Sequence, residues 1–236
     1  NLSSIGLATS GTNQISSFIA SNTTSSIQTA NIAVTPIYQG GGATCSGPIT
    51  NFTISVNPTP TVTLTNDLAF CNSAVAPQLS FSGSGSSYNW TNSNTAIGLA
   101  ASGTGNIASF VGTNTTAAPI SGTITVTPVY TNAGVTCTGT PRTFTITVNP
   151  IPTVNPVASF AACHNTTAAA AFSGATTGTV FNWTNSNPAI GLPASGSGNI
   201  SFTALNTTSA PVTATITVTP SFTNGGTTCV GTPTSF

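Results

Sequence analysis

Cys163 and His164 stand side by side, and a thiol next to an imidazole is where a covalent nucleophile or a metal ligand set begins. The chain takes neither chemistry further. His164 is its single histidine, Asp67 its single acidic residue and Arg142 its single basic residue in 236 positions. A zinc site wants four ligands, and beyond Cys163 no second histidine or nearby cysteine accompanies His164. A serine hydrolase needs a base and an orienting acid, yet His164 and Asp67 fall in different copies of a repeat. The expectation is a non-enzyme with no catalytic residue, no cofactor and no metal. His164, whose counterpart in the preceding copy is Asn72, is expected to be an exposed turn residue.

The same scarcity removes partners. Charged residues make up 1% of the chain, against about a quarter in a typical soluble domain. Nucleic acid and anionic membrane surfaces are bound through clusters of Lys and Arg, and calcium modules need several carboxylates per ion. Recurring Phe, Trp, Ile and Val argue against disorder, and no apolar run approaches the ~18–20 residues of a spanning helix. The chain should fold, with Thr, Ser and Asn supplying its polarity. So few ionisable groups should leave its stability indifferent to pH and salt, and a net charge near zero should favour lateral bundling.

Register marks reveal the organisation. Cys45, Cys137 and Cys229 are spaced by 92 residues, as are Cys71 and Cys163, and Val56-Asn57-Pro58 returns as Val148-Asn149-Pro150. "NWTNSNTAIGLAASGTGNI" at 89–107 returns almost unchanged at 182–200. A period of this length is the size of a whole small domain rather than of a solenoid repeat. Three units follow: 1–57 is the C-terminal part of a first, 58–150 a complete second, and 151–236 a third lacking its last strand. More chain, from the same polypeptide or a neighbour, is expected to complete the outer two.

Inside the unit, "TITVTP" (123–128) and "TFTITVNP" (143–150) alternate apolar residues with Thr, as half-buried strands do. They are expected to fold back on each other around a tip near 133–139. "QLSFSG" (78–83), "SYNWTN" (87–92) and "GNIASFVG" (105–112) supply further strands. Leu79, Phe81, Tyr88, Trp90, Ile107, Phe110 and Phe144 should face inward, matched by Ala170, Phe172, Phe181, Trp183, Ile200 and Phe202. Ile97 and Leu99 should plug the core edge. Seven or so short strands with a buried Trp on the third describe an immunoglobulin-like sandwich, so the expected fold is all-β, with tandem sandwiches end to end.

"CNSAVAPQLSFSG…YNWTNSN…IGLAASGTGNI…ITVTP…CTGTPRTFTITVNPIPTV" resembles the PKD-like, Ig-like tandem repeats of giant cell-surface adhesins of Bacteroidetes-type bacteria. The likeness covers nearly the whole chain, although the acidic residues and "WDFGDG"-like strand of typical PKD domains are missing. It implies an extracellular stalk or filament module, exported by type IX secretion and serving attachment or gliding, with no catalytic residues to carry over. The partners so implied are further repeats or neighbouring chains, and surface polysaccharide.

The joints "VNPTPTV" (56–62) and "VNPIPTV" (148–154) support a spacer, because proline fixes φ and favours extended neighbours. The rival reading is a carbohydrate- or ice-binding module using Thr/Asn-rich faces such as Thr61, Thr63, Thr65 or Thr213, Thr215, Thr217, Thr219; plain strand alternation also puts Thr outward. Sequons at Asn22, Asn89, Asn114 and Asn206 matter only where glycosylation machinery exists, and Asn89 and Asn182 lie beside the tryptophans, poor places for a sugar.

Cysteines in register without metal-ligand partners point to disulfides and an oxidising exterior. Two patterns respect the repeat. Within each unit, Cys71 would pair with Cys137 and Cys163 with Cys229, leaving Cys45 a partner upstream. Across the joint, Cys71 would pair with Cys229, and Cys45, Cys137 and Cys163 with other units. Strand order favours the second, because Cys71 and Cys137 sit at opposite poles of one sandwich. The first needs no special angle between domains, so the reading leans to it while both pairings stay open.

Overall fold

The computed structural model describes residues 2–236, and they form an all-β protein of several sheets, consistent with β-sandwich architecture. In the first unit β1 (Gln28–Val34) pairs antiparallel with β4 (Thr50–Val56), while β2 (Ile37–Gly40) and β3 (Ala43–Ser46) make a small hairpin between them. A short 3-10 turn at Leu2–Ile5 packs on β1, and Ile5, Ala30 and Ile32 form a small core.

The second unit contains β5 (Leu68–Cys71), β6 (Val75–Ala76), β7 (Ser87–Asn92), β8 (Ser102–Thr104), β9 (Phe110–Val111), β10 (Ile120–Asn132), β11 (Val135–Thr138) and β12 (Arg142–Asn149). One sheet runs β5-β12-β10-β7-β8, with β11 on the far half of β10. β5 lies parallel to β12, and the other pairings in this sheet are antiparallel. A looser layer of β6, β9 and the bridges Leu79↔Ile107 and Thr63↔Ser82 covers it. The core between contains Phe70, Leu79, Phe81, Trp90, Ile97, Leu99, Ile107, Ile124, Val126, Phe144, Ile146 and Val148. Alternate residues of β10 and β12 supply its centre because successive side chains on a strand point to opposite faces.

The third unit repeats this plan with β13 (Thr167–Ala170), β14 (Val180–Asn185), β15 (Ser195–Ser197), β16 (Ile200–Thr203), β17 (Ile216–Asn224), β18 (Thr227–Val230) and β19 (Thr234–Ser235). Its core holds Ala170, Phe172, Trp183, Leu192, Ile200, Ile216 and Val218, with Phe181, Phe202 and Phe236 packed against it.

Two strand readings change. The Ile124–Val126 strand does not stop at Pro128 but runs on to Asn132 as β10. Pro128 falls where β10 leaves β12, after Val126↔Arg142, and has not yet met β11, at Val129↔Thr138. A missing N–H there breaks no ladder bond, the position at which a strand tolerates proline. "QLSFSG" is held by single bridges rather than a ladder, although Leu79 and Phe81 are buried as expected.

The repeated phrase is scaffold throughout. The Asn92 side chain donates to the carbonyls of Leu99 and Asn94, and Asn94 caps a 3-10 turn at Thr95–Ile97 by accepting from the Ala96 N–H. β8 then pairs with β7 so that Gly103 lies flat on the Trp90 ring, where a Cβ would collide; Gly196 does the same for Trp183. Asn106 and Asn199 close the phrase by accepting from the N–H groups of Phe81 and Phe172. Asparagine recurs because one side chain can donate and accept at once, holding irregular backbone between strands.

Candidate functional site

The site is built at the joint between the second and third units. β12 ends in Asn149, and parallel pairing sets Cys71 opposite it at the foot of β5. The β17–β18 hairpin of the third unit rises to meet this foot. Asn149 is completely buried; its Nδ2 donates to the Asn224 carbonyl at 3.0 Å, and Asn224 Nδ2 donates back to Asn149 Oδ1 at 2.9 Å. Thr227 Oγ1 donates to the Ala69 carbonyl at 2.9 Å. Cys71 and Cys229 are bonded, with Cα atoms 5.6 Å apart.

This is the pairing across the joint, against the lean toward pairing within units. Cys71 is carried at the foot of its sheet beside Asn149, whereas Cys137 pairs with Tyr130 in the hairpin beyond Pro128, at the head. A disulfide needs Cα atoms within about 7 Å, and the length of β12 separates these two. In the third unit Cys229 lies in the matching hairpin opposite Phe222, and Cys163 precedes β13 outside any strand. Cys45, Cys137 and Cys163 are free among the described residues; the first and last are exposed and Cys137 is half-buried.

The joint prolines are part of the site. Pro58 and Pro60 are fully buried, and Pro150 and Pro152 are buried too. The carbonyls of Pro60 and Pro152 press on Gly139 and Gly231, where a Cβ would run into them. The "TGTP" and "VGTP" segments therefore fit the "NPTP" and "NPIP" linkers as glycine against proline carbonyl. The linker prolines are buried, while Thr59 and Ile151 between them face solvent.

The joint between the first and second units repeats the contact: Asn132 Nδ2 donates to Asn57 Oδ1 at 3.0 Å. These asparagines lie 92 residues before Asn224 and Asn149. Sequence reasoning used Val56-Asn57-Pro58 to mark the register but missed its partner, although the recurring "TN" at the hairpin tips was a visible signal.

The remaining singled-out residues have structural roles. Trp90, Trp183, Phe81, Phe172 and Phe144 are buried in the cores. His164 is exposed, and its Nδ1 accepts from the Asn206 N–H at 3.1 Å; Asn72 Oδ1 accepts from the Asn114 N–H in the same way at 2.8 Å. Asp67 Oδ1 accepts from the Thr145 N–H at 2.7 Å. Among the described residues no group of three His, Cys, Asp or Glu side chains is placed to share a metal ion. No helix there is long and apolar enough to cross a membrane.

Asn22, Asn114 and Asn206, also 92 apart, form one turn three times. Each Oδ1 accepts from the N–H and hydroxyl of the Thr two residues on. Asn114 is buried, and its Nδ2 donates to the Ala118 and Val148 carbonyls. These sequons are turn chemistry. Asn89 and Asn182, beside the tryptophans in the chain, are exposed, because each strand neighbour of Trp90 or Trp183 points to the opposite face. Outward hydroxyls pair with one another, as in Ser121–Thr147 and Thr217–Ser235.

No protein-family model matches the chain, and no curated protein is significantly similar to it.

Proposed function

We propose that this chain is a non-enzymatic, load-bearing segment of an extracellular adhesin stalk or surface filament, in which tandem Ig-like, PKD-like sandwiches stack end to end and set a functional tip away from the cell. The carrying observation is the covalent joint, Cys71 to Cys229 across 158 residues. Tension that reaches Cys71 passes directly into β18, so nearly all of the second and third units lies outside the covalent load path. Unfolding one of these units then releases little length. In the loop-entropy picture a closure of this size also stabilises by about 5 kcal/mol. A disulfide exposed to solvent on one side fits an oxidising exterior, in keeping with the resemblance to surface adhesins and their role in attachment or gliding.

Single-molecule stretching of the chain, held at both ends, tests this reading. Without reductant, complete unfolding should leave the segment from Cys71 to Cys229 hidden. With reductant, roughly 520–570 Å of further contour should appear, at about 3.3–3.6 Å per residue. Equal lengths under both conditions would sink the load-bearing role.

A further inference from the structure

We propose that Asn224 is a self-modification site, where the side-chain amide is lost to the backbone of Gly225, and that the clamp with Asn149 restrains the reaction, so that modification follows opening of the joint. Asn224-Gly225 is the chain's single Asn-Gly pair. Glycine is the successor that most readily lets an asparagine close on the backbone, because it has no side chain to shield its nitrogen and its dihedrals are the freest. The joint itself calls for this glycine. Gly225 has φ +58°, and a Cβ there would stand 3.0 Å from the Ala69 Cβ of β5. The β10–β11 hairpin makes the same two-residue turn with Ala133 at φ +47° after Asn132, so the turn alone does not demand glycine.

The step is a deamidation. The Gly225 nitrogen, giving up its proton, bonds to Asn224 Cγ; the Cγ–Nδ2 bond breaks and Nδ2 leaves as ammonia. Water then opens the five-membered imide at one of its two carbonyls. The product is aspartate, or isoaspartate with one more carbon in the backbone.

Ring closure turns the side chain back onto its own backbone, and its rate depends on how often the atoms reach attack geometry. The closed joint holds both the side chain and the backbone that have to turn. Asn224 Nδ2 is committed to Asn149 Oδ1 at 2.9 Å, and the Asn224 carbonyl to Asn149 Nδ2 at 3.0 Å. Asn149 is completely buried, and Asn224 forms the last rung of β17, opposite Thr227. The product fits this place poorly. A carboxylate accepts but cannot donate, so Asn149 Oδ1 loses its donor, and a chain with one acidic residue gains a second at the joint. Isoaspartate also lengthens the hairpin just ahead of Thr227 and Cys229, which hold Ala69 and Cys71. A joint that has opened is thereby marked, and closes less well afterwards.

The test ages the intact chain in mildly alkaline buffer and follows amide-to-acid conversion at each asparagine by peptide mapping. Asn224 should convert at least about tenfold more slowly than in the free peptide of residues 220–230, "PSFTNGGTTCV", the factor that one hydrogen bond of ordinary strength supplies. Asn149→Ala should remove most of that protection. Ala133→Gly, which replaces a left-handed alanine and puts a glycine after Asn132, should speed conversion of Asn132 above its rate in the parent. Conversion of Asn224 as fast in the parent as in the peptide overturns the proposal, whether or not the variants fold. So does a parent-like rate in Asn149→Ala, or an Asn132 unmoved by Ala133→Gly. The stretching experiment reads the Cys71–Cys229 bridge and this one reads Asn224, so failure here leaves the stalk reading standing on its own test.

Discussion

Asn149 and Asn224 hold each other across the joint through two hydrogen bonds, one from each side-chain amide, with Asn149 shut off from solvent. Each is the other's donor and acceptor, so neither unit can rotate at this point without leaving a buried amide unpaired. The bridge beside them ties the units covalently, while the asparagines set their angle. Asn149→Ala should cost about 1–3 kcal/mol, the cost of stranding a buried polar group. A lower melting temperature and faster reduction of Cys71–Cys229 by dithiothreitol are the expected readouts. An unchanged reduction rate would show that the asparagines do not guard the bridge.

Gly231 makes a second prediction. Any side chain there meets the Pro152 carbonyl, which is backbone and cannot move aside as a rotamer would. Gly231→Ala should therefore destabilise the third unit by about 1–3 kcal/mol, in the range of other overpacking substitutions. Gly11, whose Cβ position is empty and whose φ is unremarkable, is the control; Gly11→Ala should stay within about 0.5 kcal/mol of the parent. Differential scanning calorimetry of both variants decides.

Much of the fold was legible because alternation reports burial directly. Ile124, Val126, Ile146 and Val148 are all fully or nearly fully buried, as their spacing requires. Ile97 and Leu99, in irregular backbone, were legible only through repetition of the phrase that contains them. The cysteine pairing was half legible: strand order set Cys71 and Cys137 at opposite poles and pointed to the observed bridge across the joint, but the angle between units that the bridge needs was not. Cys71 belongs to a four-residue strand that pairs parallel with a strand more than seventy residues on, and no local pattern announces such a partner. The asparagines were hidden for another reason: in an Asn-rich chain, those that clamp backbone differ from those that face water by tertiary position alone.

The two tryptophans offer a matched comparison. Trp183 Nε1 donates to the Gly198 carbonyl at 3.1 Å, while Trp90 Nε1 has no partner among the described residues. Replacing either by Phe removes similar apolar volume, but only Trp183→Phe breaks a hydrogen bond. Trp183→Phe should cost about 0.5–1.5 kcal/mol more than Trp90→Phe. Denaturant melts of the two variants measure the difference, and a larger cost at Trp90 would reverse the assignment.

The last prediction concerns the meaning of the sequons. If Asn114 belonged to a glycan site it would stand free, and its loss would leave the fold alone. The geometry says otherwise: its amide bridges Ala118 and Val148, tying the turn before β10 to the last strand of the same sheet, and its oxygen takes both the N–H and hydroxyl of Thr116. Asn114→Ala removes all four contacts and leaves carbonyls near the core without a donor, a loss of about 2–3 kcal/mol. Asn89→Ala, on the exposed face of β7, removes no side-chain contact of this kind and should stay within about 0.5 kcal/mol of the parent. Chemical denaturation of the two variants gives the comparison directly. Equal stabilities would mean that the Asn114 turn is decoration on the sandwich rather than one of its fasteners.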